Sequence, residues 1–111
     1  MKSITSASTA SGATIIIGKD AAQNDHLVSK YKHVPDTLWF HIKGHPGPHV
    51  ILLNGSSQED VQEAAHAALG KRTHGIVEYC AISNVHKPRG APLGQVTLLE
   101  YSKQVCIARM K

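Results

Sequence analysis

Residues 38–53, LWFHIKGHPGPHVILL, predict two neighbouring strands joined by a turn, and this pair forms the centre of the fold. The first strand runs from about Leu38 to Lys43, and alternation divides its side chains between two faces. One face holds Leu38, Phe40 and Ile42, and the other holds Trp39, His41 and Lys43. The turn follows from the prolines and glycines over 44–48, and 50–53 is a continuous apolar strand. We expect the apolar face to build core and the mixed face to be free for binding.

Upstream of this pair, the pattern predicts a strand followed by a helix. Residues 14–17 are mostly β-branched and end at Gly18, which is typical of a short strand. Asp20 and Gln23 then have the spacing of a capping box, which predicts a helix over about 20–32.

Downstream, Ser57 and Asp60 repeat the capping spacing and begin a second helix with a small-residue face. A longer strand is predicted over 76–85, and 95–101 with 104–110 predicts a closing hairpin. The predicted order is β-α-β-β-α-β-β-β, an α+β fold in which two helices accompany a mixed or antiparallel sheet.

The composition is that of one globular domain spanning residues 1–111, with a flexible end over 1–10 or, alternatively, a hairpin turning at Ser11-Gly12. Twelve Lys and Arg against eight Asp and Glu give a formal charge of +4, which favours a polyanionic partner. Cys80 and Cys106 stand in apolar runs and predict reduced core thiols. Neither a membrane span nor a signal peptide is indicated, so a cytoplasmic location is expected.

Three catalytic or ligand-binding interpretations fail on spacing. The run Gly18-Lys19-Asp20 lacks the P-loop spacing and hydroxyl, although Lys19 beside a helix start could contact a phosphate if Asp20 does not already cap those amides. His41, His45 and His49 are four apart, but the prolines and glycines between them exclude the helix that would align them as metal ligands. A strand-turn-strand geometry could still bring His41 and His49 together, although the run offers no acidic or thiolate ligand beside them. No Gly-x-Ser-x-Gly nucleophile motif is present. We predict no cofactor, no metal and no catalysis.

The remaining pattern combines cations with rings that can stack on unpaired bases, as nucleic-acid surfaces do. Its members are Trp39, His41, Lys43, His45, His49, Lys71, Arg72 and the loop His86-Lys87-Pro88-Arg89. For Trp39 alone, a partly buried anchor is the competing interpretation.

Three ordered motifs resemble the NFACT-R family, formerly a domain of unknown function. They are Gly18-Lys19-Asp20-Ala21-Ala22-Gln23-Asn24-Asp25, then Asp36-x-x-Trp39-Phe40-His41-x-Lys43-x-x-Pro46-Gly47-x-His49-Val50, then Val85-x-Lys87-Pro88-Arg89-Gly90-x-x-x-Gly94-x-Val96. The resemblance extends from about Ser11 to the C-terminus. Two departures stand out: Lys19-Asp20 replaces a usual Arg-Asn, and Pro48 replaces a usual Ser, which alters the donors at those positions.

The resemblance implies an RNA-binding module of ribosome-associated quality control, with transfer or ribosomal RNA, and with it the ribosome, as partner. The residues expected to contact RNA are Lys43, Lys71, Arg72, Lys87 and Arg89 for phosphate, with Lys19 beside the helix start; His41, His49 and Trp39 for bases or sugars; and Gln23 and Asn24 for polar contacts or for bracing the loop.

Three other functions stay open at this point. His41 or His49 could transfer protons in an RNA-modifying or processing enzyme subunit. The domain could instead be a DNA-binding sensor, or a protein-interaction module whose affinity is indifferent to salt. The sequence gives no oligomeric state.

Overall fold

Two helices and an antiparallel sheet make up the part of the chain that the computed structural model describes, residues 4–55, 57–99 and 102–108. The strands are β1 (Thr5–Ser8), β2 (Thr14–Gly18), β3 (Thr37–Ile42), β4 (His49–Leu53), β5 (His74–Ala81), β6 (Val85–His86), β7 (Thr97–Leu98) and β8 (Lys103–Ala108). The helices are α1 (Ala21–Tyr31) and α2 (Gln58–Ala68), and a 3-10 turn covers Ile82–Asn84. Neither helix of this described part is long and apolar enough to cross a membrane.

The predicted strand pair lies at the centre of the main sheet, whose order is β1-β2-β4-β3-β5-β8. All its neighbouring strands are antiparallel, and in the central pair Trp39 faces Ile51 while Phe40 faces Val50. A second, two-stranded sheet pairs β6 with β7. The α+β class, the two helices and the antiparallel sheet are therefore confirmed.

Both faces of the central strands are covered, and each has its own apolar cluster. Against α2, the buried residues include Ile15, Phe40, Ile42, Val50, Leu52, Ala64, Ala65, Ala68 and Val77. Against α1 and the segment after β5, they are Ile16, Leu27, Val28, Trp39, Ile51, Cys80, Ile82 and Val85. The prediction that the Trp39 face is free for binding is wrong at Trp39 itself, because this second cluster buries the indole.

Both helices begin where the capping spacing places them. The Asp20 carboxylate accepts a hydrogen bond from the Gln23 backbone N–H at 2.8 Å, and Ser57 Oγ accepts one from the Asp60 N–H at 3.1 Å. Ala64, Ala65 and Ala68 of α2 are fully buried against the sheet, so these small side chains allow a close approach.

The first residues form a strand where the sequence predicts a flexible end. β1 pairs along β2, and a turn at Thr9–Gly12 joins them, which is the alternative hairpin. The turn is fixed to α2, since Ser11 Oγ donates to Asp60 Oδ1 at 2.7 Å and the Ala10 N–H donates to Glu63 Oε2 at 3.2 Å. Residues 1–3 lie outside the described part.

The C-terminal third differs most from prediction. β5 ends at Ala81, short of the predicted end at residue 85, because the 3-10 turn carries the chain out of the sheet. The predicted closing hairpin is wrong: β7 pairs with β6, whereas β8 returns to pair with β5. Residues 100–101 and 109–110 of that hairpin lie outside the described part.

The two cysteines also differ from each other. Cys80 is buried as predicted, and burial raises the pKa of its thiol to about 11. Cys106 is exposed, so its prediction as a core thiol is wrong. Cys106 lies on β8, the edge strand of the main sheet, and its side chain faces solvent.

Candidate nucleic-acid interface

Four cations from three separate segments meet at one end of the sheet, which we call the basic end: Lys19, Lys43, Lys71 and Arg72. Lys19 follows β2, whose last residue, Gly18, pairs with His49. Lys43 follows β3, and its N–H donates to the Ile76 carbonyl at 2.8 Å.

The end of α2 completes the basic end. A Cβ placed on Gly70 would lie 3.3 Å from Pro48 Cδ, so this helix end packs against the turn between β3 and β4. Gly70 has a φ of +64°, a left-handed conformation that ends the helix and directs the chain toward β5. Lys71 and Arg72 follow directly and are exposed. The four cations of the basic end are therefore brought together by the antiparallel topology of the sheet and not by closeness in the sequence.

Gln23 and Asn24 are buried and hold this end of the sheet together. Gln23 Oε1 accepts from the Lys19 N–H at 3.0 Å, and Asn24 Oδ1 accepts from the His49 N–H at 3.0 Å. A Cβ on Gly18 would lie 2.3 Å from Asn24 Oδ1, so glycine is required for this approach. Of the two roles predicted for this pair, bracing matches the geometry, since their exposures are 1% and 6%.

His49 is buried and holds hydrogen bonds on both sides of its ring. Its Nδ1 accepts from Trp39 Nε1–H at 3.2 Å, which places the ring proton on Nε2, and the Gly94 backbone supplies a second hydrogen bond. Burial is the main cause that lowers the pKa of His49 to about 4, with nearby His41 adding to the effect. A neutral ring with 2% exposure offers no surface to a base, so the expectation of direct contact through His49 is corrected. The same holds for Trp39, which is 1% exposed.

His41 is half-buried and borders a cleft of about 640 Å³. Its ring stacks on Trp39 with centroids 5.9 Å apart, and burial lowers its pKa. The walls of the cleft are the start of α1, the turn 46–48 and the loop 92–95. Lys19 also lines it, so the cleft opens on the basic end.

Lys87 and Arg89, the two cations of the loop after β6, have different surroundings. Lys87 Nζ forms an ion pair with Asp25 Oδ2 at 3.2 Å and donates to the Pro92 carbonyl, so it braces its own loop. Asp25 Oδ1 in turn accepts from the Gly94 N–H at 2.8 Å. Arg89 is exposed on the same loop. Lys87 therefore supports the cleft wall, and its contact with phosphate stays a prediction.

Sequence reasoning missed Leu93 and Gln95, which also line the cleft. Leu93 is 66% exposed and lines the same cleft as Lys19. The clustering of prolines and glycines over 88–94 signalled an ordered loop, but nothing local indicated that it returns to α1 and His41.

Comparison with known proteins identifies a family that the chain matches. Residues 3–97 match the model of the NFACT protein RNA binding domain. Over 93 residues the chain is 37% identical to the Rqc2 homolog RqcH of Bacillus subtilis, and over 94 residues 33% identical to the Rqc2 homolog RqcH of Streptococcus suis. These alignments cover 78% of this chain but only 16% and 17% of the relatives, so the chain spans about a sixth of their length.

A solved structure extends the comparison over the whole chain. The C-terminal part of the fibronectin/fibrinogen-binding protein from Streptococcus suis superposes with a TM-score of 0.89 at 27% identity. The match covers 100% of this chain and 47% of that one.

Proposed function

The chain belongs to the NFACT RNA-binding domain family, and we propose that it binds a structured RNA, a transfer or ribosomal RNA, through its basic end and without catalysis. The observation that carries the proposal is the convergence of Lys19, Lys43, Lys71 and Arg72 on one end of the sheet. Such a cluster attracts phosphate and releases condensed counterions when it binds.

The local chemistry supports binding over catalysis. His49 is neutral and committed to Trp39 and Gly94, so it has no free nitrogen for proton transfer. The Asp20 carboxylate caps α1, which uses one amide that a bare helix start would offer to phosphate. Lys19 beside that cap supplies the charge instead.

The cellular setting of the proposal follows from the family. We place the domain in ribosome-associated quality control in the cytoplasm, with the ribosome as the assembly that presents its RNA. Relatives named Rqc2 homolog RqcH support this setting, and the activity of those longer proteins is not assigned to this chain.

The test is fluorescence anisotropy of labelled transfer RNA, a ribosomal RNA fragment and a DNA duplex over a salt series. Removing two phosphate contacts with Lys71→Ala/Arg72→Ala should weaken RNA binding by roughly 30-fold near 0.1 M salt, because each contact contributes about 0.7–0.9 to the salt slope. The slope of log K against log salt should also become shallower by about 1.5.

Lys30→Ala/Lys103→Ala is the matched control, since it removes two exposed cations away from the basic end. Parent affinity in this control supports a localised surface. An equal loss in both double variants, or parent binding that is insensitive to salt, would contradict the proposal. Tighter binding to the DNA duplex than to either RNA would also contradict it and identify a DNA-binding module.

A further inference from the structure

The side chains that line the cleft beside the basic end suit a flat, weakly polar ligand. Pro46, Pro48 and Leu93 supply apolar surface, and His41 supplies a ring. Its volume of about 640 Å³ lies within the range of roughly 300–1,000 Å³ found for small-ligand pockets. A base pair inside a helix cannot enter such a cleft, whereas a single base turned out of a strand can.

The His41 ring is positioned in advance for stacking. Trp39 holds it at an interplanar angle of 17°, and His49 packs edge-on with ring centroids 5.2 Å apart. The part of the ring that remains exposed lines both the main cleft and an adjoining cavity of about 280 Å³. A ring held by its neighbours loses little conformational entropy when a base packs on it.

Leu93 is the second, independent observation. Its side chain lines the cleft and is 66% exposed in the free domain, so its apolar surface is available to a ligand. At nucleic-acid surfaces, apolar side chains in such positions separate or cover unstacked bases. Gln95 lines both cavities and presents an amide that can pair with the polar edge of a base.

We propose that this cleft takes one unpaired base of the bound RNA, packed between His41 and Leu93 with its polar edge toward Gln95. This inference rests on the RNA binding proposed above and specifies the form of RNA that the surface selects. Lys19 lines the same cleft, so the phosphate next to the base lies within the basic end. The domain then distinguishes RNA with an extruded nucleotide from a continuous helix.

The test uses two RNA hairpins that differ in one position, where 2-aminopurine is either bulged or paired. The parent should bind the bulged hairpin more tightly and change its 2-aminopurine fluorescence. His41→Ala should weaken the bulged complex ~5- to 160-fold, the range found for loss of one base–ring stack, and leave the paired complex unchanged. His41→Phe should retain most of the preference, because it keeps a ring. Leu93→Ala alters an exposed side chain and should lower the preference without a change in stability.

The outcomes separate this inference from the proposed function. Equal affinity of the parent for both hairpins, or a bulged-hairpin preference that survives both His41→Ala and Leu93→Ala, overturns the base site. If Lys71→Ala/Arg72→Ala still weakens both hairpins equally in that case, RNA binding at the basic end stands. Failure of the parent to bind either hairpin at low salt overturns both.

Discussion

Replacing Trp39 by alanine is expected to lower the free energy of unfolding by about 3–5 kcal/mol, the range for truncating a buried tryptophan. The indole is 1% exposed and packs in the cluster that includes Leu27, Ile51 and Cys80. Its loss also leaves His49 Nδ1 without its donor. Urea denaturation followed by circular dichroism measures the effect.

Trp39→Phe is the informative companion, because it retains an aromatic ring and removes the N–H. We expect a smaller loss of about 1–3 kcal/mol, since the main change is a buried acceptor left unpaired. Trp39→Phe should bind RNA with parent affinity under conditions where it is fully folded, because it keeps a ring against His41. A large loss of RNA affinity with unchanged stability would show instead that Trp39 stacks on a base.

The second large effect is a loss of stability in acid that arises from His49. Its pKa is about 4 in the folded domain against an ordinary value of 6.5. Between pH 6.5 and pH 4, His49 is therefore protonated in the unfolded chain but neutral in the folded domain. The free energy of unfolding is therefore not reduced by His49 above about pH 6.5, and it falls as the pH drops from 6.5 toward 4. The difference between the two values, at about 1.4 kcal/mol per pH unit, gives a loss of about 3 kcal/mol.

Urea denaturation at a series of pH values between 7.5 and 4.5 measures this loss. His49→Asn, which keeps an acceptor near the position of Nδ1, should show a clearly shallower dependence on pH. The remaining dependence includes His41, whose pKa burial also lowers. His26→Asn changes an exposed histidine of α1 and serves as the control. Equal slopes for the parent and His49→Asn would show that His49 is not held neutral by the fold.

The parts of the fold that sequence predicts well depend on residues close together in the chain. Asp20 caps α1 because its carboxylate needs to reach only three residues ahead, and Ser57 caps α2 in the same way. The strand pair around 44–48 likewise depends on alternation and on one turn. Each of these signals is complete within 16 residues of the sequence.

The errors involve contacts between distant segments. β8 pairs with β5 rather than with the strand before it, and no pattern within either strand specifies that partner. Alternation places Trp39 and His41 on one face, but α1 and the segment after β5 decide that this face is covered. His49 is buried for the same reason. The cations of the basic end were identified one by one, while their convergence required the sheet topology.

An NMR titration that maps RNA on the domain by amide chemical shifts locates the RNA-binding surface. We expect the largest shifts at Lys19, around Lys43, over 70–72 and over 93–95, and we expect them to diminish when salt is raised. Largest shifts at the opposite end, around Ser11-Gly12 and Gly55, or along β8, would contradict this expectation.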